Sequence, residues 1–101
     1  MKTLDIQARE WFDRIPGNSY FSAVITIDYG MNTEQTIPIN FMYGYENYYE
    51  YAAFEELKKR GLIETDERSL SKYCKNNGIA LRSSIQRDCL KRDVINFTKN
   101  K

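Results

Sequence analysis

Two cysteines, several carboxylates and a serine pair are the residues of this chain that could do chemistry. Cys74 and Cys89 are separated by fourteen residues, which is no metal-ligand spacing. A thiol beside Lys75 or Arg87 could be activated, because a nearby cation favours the thiolate. The alternative is a pair of reduced, partly buried thiols, the usual state of free cysteine. Glu46 and Glu50, and Asp5 and Glu10, could be paired for acid–base work or for a cation. Acidic residues at a helix start are also favoured by the helix dipole alone. Ser83-Ser84 has no base to activate it. The chain contains no histidine, which removes the commonest general base, the commonest zinc ligand and every Ser-His or Cys-His mechanism. Gly17, Gly30, Gly44, Gly61 and Gly78 are scattered and make no phosphate-binding fingerprint. The expectation is a non-enzyme with no catalytic residue, no metal and no cofactor.

Two other sets suit recognition. Tyr43, Tyr45, Tyr48, Tyr49 and Tyr51 crowd one short segment. Tyr49 belongs to a helix core stripe, which leaves Tyr43, Tyr45, Tyr48 and Tyr51 as a candidate protein-binding set. Tyrosine gives large contact area at small entropic cost. Their rings could equally cap an open hairpin edge, or stack on bases. The second set is basic: Lys72, Lys75, Arg82, Arg87, Lys91 and Arg92, a candidate nucleic-acid or anion site. Net charge is +1, yet residues 1–50 hold three Lys/Arg against seven Asp/Glu. From Arg68 onward the count is nine against two. Such asymmetry suits an anionic partner or a solvated basic face. Arg82 and Arg87 have opposite strand parity, which works against one phosphate-tracking stripe.

The elements that must position these sets follow from periodicity. Length and a 42% hydrophobic composition fit one domain, residues 1–101, with one core. Leu4, Ala8, Trp11 and Ile15 recur at helical spacing, so Asp5 to Arg14 is predicted as a helix stopped by Pro16-Gly17-Asn18. Tyr20 to Tyr29 alternates as a strand, with Phe21, Ala23, Ile25, Ile27 and Tyr29 on one face. Gln35 to Met42 pairs with it as a hairpin, with Ile37, Ile39 and Phe41 inward. Pro38 confines this second strand to an edge or a bulge. Glu46 to Arg60 is the strongest helix, with a stripe of Tyr49, Ala53, Phe54 and Leu57 and a Gly61 cap. Ser69 caps a short helix carrying Leu70, Tyr73 and Cys74. Ile79 to Cys89 alternates as a third strand, and Val94, Ile95 and Phe97 add a last strand or helix. The predicted class is α+β: an N-terminal helix, a hairpin, two helices and a C-terminal strand. Its three-stranded, mostly antiparallel sheet has helices packed on one face.

Several stretches resemble small uncharacterised proteins encoded by tailed bacteriophages. The segment Trp11-Phe12-Asp13 leading into Gly17-Asn18-Ser19-Tyr20-Phe21 is similar to the opening of that group. Phe41-Met42-Tyr43-Gly44-Tyr45 is similar to its Tyr-Gly-Tyr-Gly-like turn. Tyr73-Cys74-Lys75-Asn76-Asn77-Gly78-Ile79 and Leu90-Lys91-Arg92-Asp93 resemble its closing stretches. The chain departs at Glu46, where the group tends to have glycine, and at Asp93, which sits one position early. The resemblance implies phage origin and a shared fold but transfers no functional residue. Phage accessory proteins of this length often bind a host protein. The expected partner is therefore a host or phage protein, with inhibition of a host defence or regulatory component as the outcome. Self-association into a homodimer is a variant, and nucleic-acid binding is the alternative. The start reads as a cytosolic chain, and no apolar run approaches the ~18 residues of a membrane span. The expected place is the host cytoplasm, with no membrane partner.

Overall fold

A computed structural model describes all residues, Met1–Lys101, in the order β1 (Thr3–Asp13), β2 (Asn18–Ile27), β3 (Gln35–Tyr43), α1 (Tyr48–Lys59), α2 (Leu70–Asn76), β4 (Ala80–Gln86) and α3 (Lys91–Phe97). The class is α+β, but the sheet has four strands in the order β3-β2-β1-β4. It is mixed: β1 pairs antiparallel with β2 and parallel with β4. The predicted three-stranded, mostly antiparallel sheet is thus corrected.

The largest correction is the first element, which is a strand and not a helix. Leu4, Ile6, Ala8 and Glu10 are buried on one face of β1. Asp5, Gln7, Arg9 and Trp11 alternate with them. A helical stripe of Leu4, Ala8, Trp11 and Ile15 fits the same letters, and long-range pairing decides between the two. β1 runs in unbroken register with β2 from Leu4↔Ile27 to Asp13↔Asn18. Pro16-Gly17 therefore turns a hairpin. Ile15, placed by the helical pattern in a core stripe, is 97% exposed at its tip.

A second correction concerns the layers. The larger core lies on one face, where Tyr49, Ala53, Phe54 and Leu57 of α1 and Leu70 and Cys74 of α2 meet the sheet. Each large side chain buried there contributes about 1.5–3 kcal/mol. Helix α3 covers the other face. Its Val94 is fully buried, and Ser22 of β2 donates its hydroxyl to the Val94 carbonyl at 2.5 Å. The Arg9 guanidinium lies 4.2 Å from the centre of the Phe97 ring, and Thr98 donates to Asn40 at 3.0 Å. Helices therefore pack on both faces, which explains why Ser22 and Val24 of β2 are buried as well as Phe21, Ala23 and Ile25.

Strand β3 lies at a sheet edge, where Pro38 lacks the N–H that an inner strand would need. Its register against β2 shifts between Phe21 and Ala23. Phe21 faces Met42 and Ala23 faces Ile39, so two β3 residues oppose Ser22. That bulge turns Phe41, expected inward, to the α3 face. There it stacks on Tyr20 at 5.2 Å, and Tyr20 stacks on Trp11 at 5.6 Å.

The helix ends follow local chemistry. Gly61, at φ 73°, closes α1 with Leu62 N–H donating to Leu57 and Gly61 N–H to Lys58, both at 3.0 Å. Ser69 caps α2, accepting from the Lys72 N–H at 3.3 Å.

Asp28, just past β2, holds the start of β1. Its carboxylate accepts from Lys2 N–H at 2.6 Å, Thr33 hydroxyl at 2.7 Å and Thr3 N–H at 3.1 Å. These donors, the Lys2 amide first, lower its pKa from 3.8 to about 2. A depressed folded-state pKa gives stability that is complete above about pH 4 and is lost as pH falls towards about 2. Asp28→Asn keeps the shape and tolerates the φ of 53° while removing the charge. This variant is expected to be less stable at neutral pH and to lose less stability between pH 4 and 2 in acid titrations followed by circular dichroism.

Candidate functional site

The corner between β3 and α1 carries the tyrosine set. A groove of about 880 Å³ opens there, lined by Tyr43, Tyr45, Tyr48 and Tyr51, with Phe54 and Leu70 deeper and Arg68 on the α2 side. All four candidate tyrosines thus share one groove, and each remains between 41% and 56% exposed. Tyr49 points the other way, into the core, as its place in the helical stripe requires. The rings form two pairs. Tyr43 and Tyr45 meet edge to face at 6.1 Å, and Tyr48 and Tyr51 meet at 5.4 Å.

Gly44 allows this corner to close. Its N–H donates to the Ser19 carbonyl at 3.1 Å, tying the chain to β2 after β3 ends. A Cβ at this position would stand 2.7 Å from ring atoms of both Phe21 and Tyr48. Phe21 is fully buried and cannot yield. The requirement is space for two aromatic rings, not an unusual backbone angle.

The carboxylates do not pair as their spacing suggested. Helix α1 begins at Tyr48, so Glu46 precedes it, with a left-handed φ of 56°. Glycine is at ease in that conformation. Glu46 and Glu50 both line the groove. Asp5 and Glu10 fall on opposite faces of β1 and each meets an arginine of the β4 region. Arg82 engages Asp5 through two nitrogens at 2.6 and 3.1 Å. Arg87 reaches the buried Glu10 at 2.8 Å. Ser83 donates its hydroxyl to Glu50 at 3.1 Å. No cluster of three His, Cys, Asp or Glu residues exists that could hold a metal ion.

The basic set is divided. Arg82 and Arg87 are held in those ion pairs. The Lys91 ammonium lies 5.1 Å from the Trp11 ring centre. Lys72 and Lys75 ride on α2, whereas Lys91 and Arg92 open α3 across the sheet. The structure brings the tyrosines together and separates the cations. Both cysteines are free thiols. Cys74 lies in the core, where burial pushes its thiol pKa up, away from reactivity.

Some exposed apolar residues escaped the sequence reading. Phe12, Ile15 and Leu90 stand open at the end of the sheet that carries Tyr43 and Tyr45. The register places them there: Phe12 opposes Ser19, which binds Gly44, and Cys89 N–H donates to the Glu10 carbonyl at 2.9 Å. The signal available in sequence was strand parity in Leu4-x-Ile6-x-Ala8, which removes the helix that had placed Ile15 in a core stripe. Nothing in the letters marks Phe12 or Leu90 as exposed.

Comparison with protein-family models, curated proteins and solved structures finds no match to this chain. No helix is long and apolar enough to cross a membrane.

Two stability outcomes follow from this geometry. Gly44→Ala is expected to cost about 1–3 kcal/mol in urea unfolding, as overpacking against fixed rings does. Arg87→Met removes the partner of the buried Glu10 carboxylate and, because the arginine is half-exposed, is expected to cost about 1–2 kcal/mol in the same measurement.

Proposed function

We propose that this chain is a non-enzymatic phage accessory protein that acts by binding another protein in the host cytoplasm. The target is a host defence or regulatory component, and binding inhibits it. The observation that carries the binding reading is the convergence of Tyr43, Tyr45, Tyr48 and Tyr51 on one open groove. Ring pairs at this corner are held by Gly44 and by Phe21, which meets Tyr48 at 6.1 Å. Rings so held present contact area without ordering it on binding, the economy seen in interface hot spots. The neighbouring Phe12, Ile15 and Leu90 extend the apolar surface at the same end of the sheet.

Nucleic-acid binding draws less support. A phosphate-tracking surface needs free cations in a row. Here two arginines are neutralised by Asp5 and Glu10, and the remaining cations lie on both sides of the sheet. Tyr20 stacks on both Trp11 and Phe41, and the Lys91 ammonium lies over the Trp11 ring, so these rings are already engaged within the protein. Phage origin rests on the resemblance of the Trp11–Ala23, Phe41–Tyr45, Tyr73–Ile79 and Leu90–Asp93 stretches.

Tyr45→Ala with Tyr51→Ala removes two exposed rings and leaves the core intact. The double variant is expected to weaken capture of the partner from host lysate by about 30-fold or more, the weight of one hot spot of about 2 kcal/mol. Lys72→Ala with Lys75→Ala should capture it normally. Unchanged capture by the tyrosine variant would overturn the site assignment.

A further inference from the structure

Resting on the protein-binding reading, we infer that the tyrosine groove receives a cationic side chain, arginine or lysine, from the partner protein. Four phenol rings line the groove together with two carboxylates, Glu46 and Glu50. Ring faces attract cations through their quadrupole, most strongly where water is excluded. The carboxylates add a directed charge. Neither forms an ion pair within the protein. Glu46 accepts no side-chain or backbone hydrogen bond, and Glu50 accepts only the Ser83 hydroxyl on one oxygen. Both therefore keep acceptor capacity for an incoming donor.

The cations of the protein itself do not fill this role. Lys58, on the same helix, lies over the Phe54 ring at 4.0 Å and pairs with Glu55 at 3.6 Å. Arg68 lines the α2 side of the groove and forms no ion pair with either carboxylate. It repels an incoming cation, so its removal reads out the sign of the ligand charge. An anionic partner would gain from Arg68 and lose to Glu46 and Glu50. A cationic one shows the reverse. Glu46 is held at a backbone angle that glycine would adopt more easily, yet it places a carboxylate at the groove.

The test titrates the full chain at low salt with three capped peptides of one Gly-Ser frame, centred on arginine, glutamate or leucine. Amide and tyrosine ring resonances from Tyr43 to Tyr51 report binding. The arginine peptide is expected to shift them and saturate. Glu46→Gln with Glu50→Gln should weaken that binding about tenfold, and Arg68→Gln should strengthen it. Amide resonances outside the groove check that both variants stay folded. Preference for the glutamate or leucine peptide, or arginine affinity unchanged by the two glutamines, overturns the cationic inference and leaves a protein-binding groove of other chemistry. No shift with any peptide also overturns it. The protein-binding reading then stands or falls by the capture experiment with Tyr45→Ala and Tyr51→Ala.

Discussion

The pairing of β1 on both sides organises everything else in this molecule. One strand carries the antiparallel ladder to β2 and the parallel ladder to β4. Its alternation assigns Leu4, Ile6 and Ala8 to the larger core and Arg9 and Trp11 to the α3 side. It also supplies Asp5 and Glu10, the anchors for Arg82 and Arg87. The acidic front and basic rear of the sequence thus meet partly as internal neighbours, joined through the sheet. A charge gradient that suggests an anionic ligand is in part the record of that pairing.

Much of the fold was legible where local and long-range preferences agree. Tyr49, Ala53, Phe54 and Leu57 formed a helical stripe and became a helix packed on the sheet. Gly61 and Ser69 marked helix ends because their backbone and hydroxyl chemistry act locally. Pro38 forecast an edge because a missing N–H is a local fact. The first element failed because Leu4, Ala8, Trp11 and Ile15 satisfy a helical period while Leu4, Ile6 and Ala8 satisfy a strand period. Only the partner strands choose: β2 across the hairpin and β4 from far along the chain. Phe41 failed for a different reason: a bulge inverts side-chain parity, and nothing in Ile39-Asn40-Phe41 announces it. The side of the sheet taken by the last helix was equally hidden, since Val94 alone cannot state which face it will cover.

The candidate site was legible as composition and invisible as geometry. A run of tyrosines could be read from the letters. That they divide into two ring pairs around a groove depends on the bulge, on Gly44 and on the late start of α1 at Tyr48. The basic set went the opposite way. It looked coherent in sequence and was dispersed by strand parity, by the two acids of β1 and by the placement of α2 and α3 on opposite faces.

The parallel seam between β1 and β4 joins residues 77 positions apart in the chain, as Asp5 and Arg82 are. Local hairpins can form early, but this seam must wait for the loop between its strands to be closed. During synthesis the free side of β1 stays an unpaired edge until Ala80–Gln86 has emerged. The last strand and α3 then dock together, the strand on that edge and the helix on the far face. That order makes the C-terminal fifth of the chain the natural unit of partial opening, a hinged flap whose release would bare the middle of the sheet.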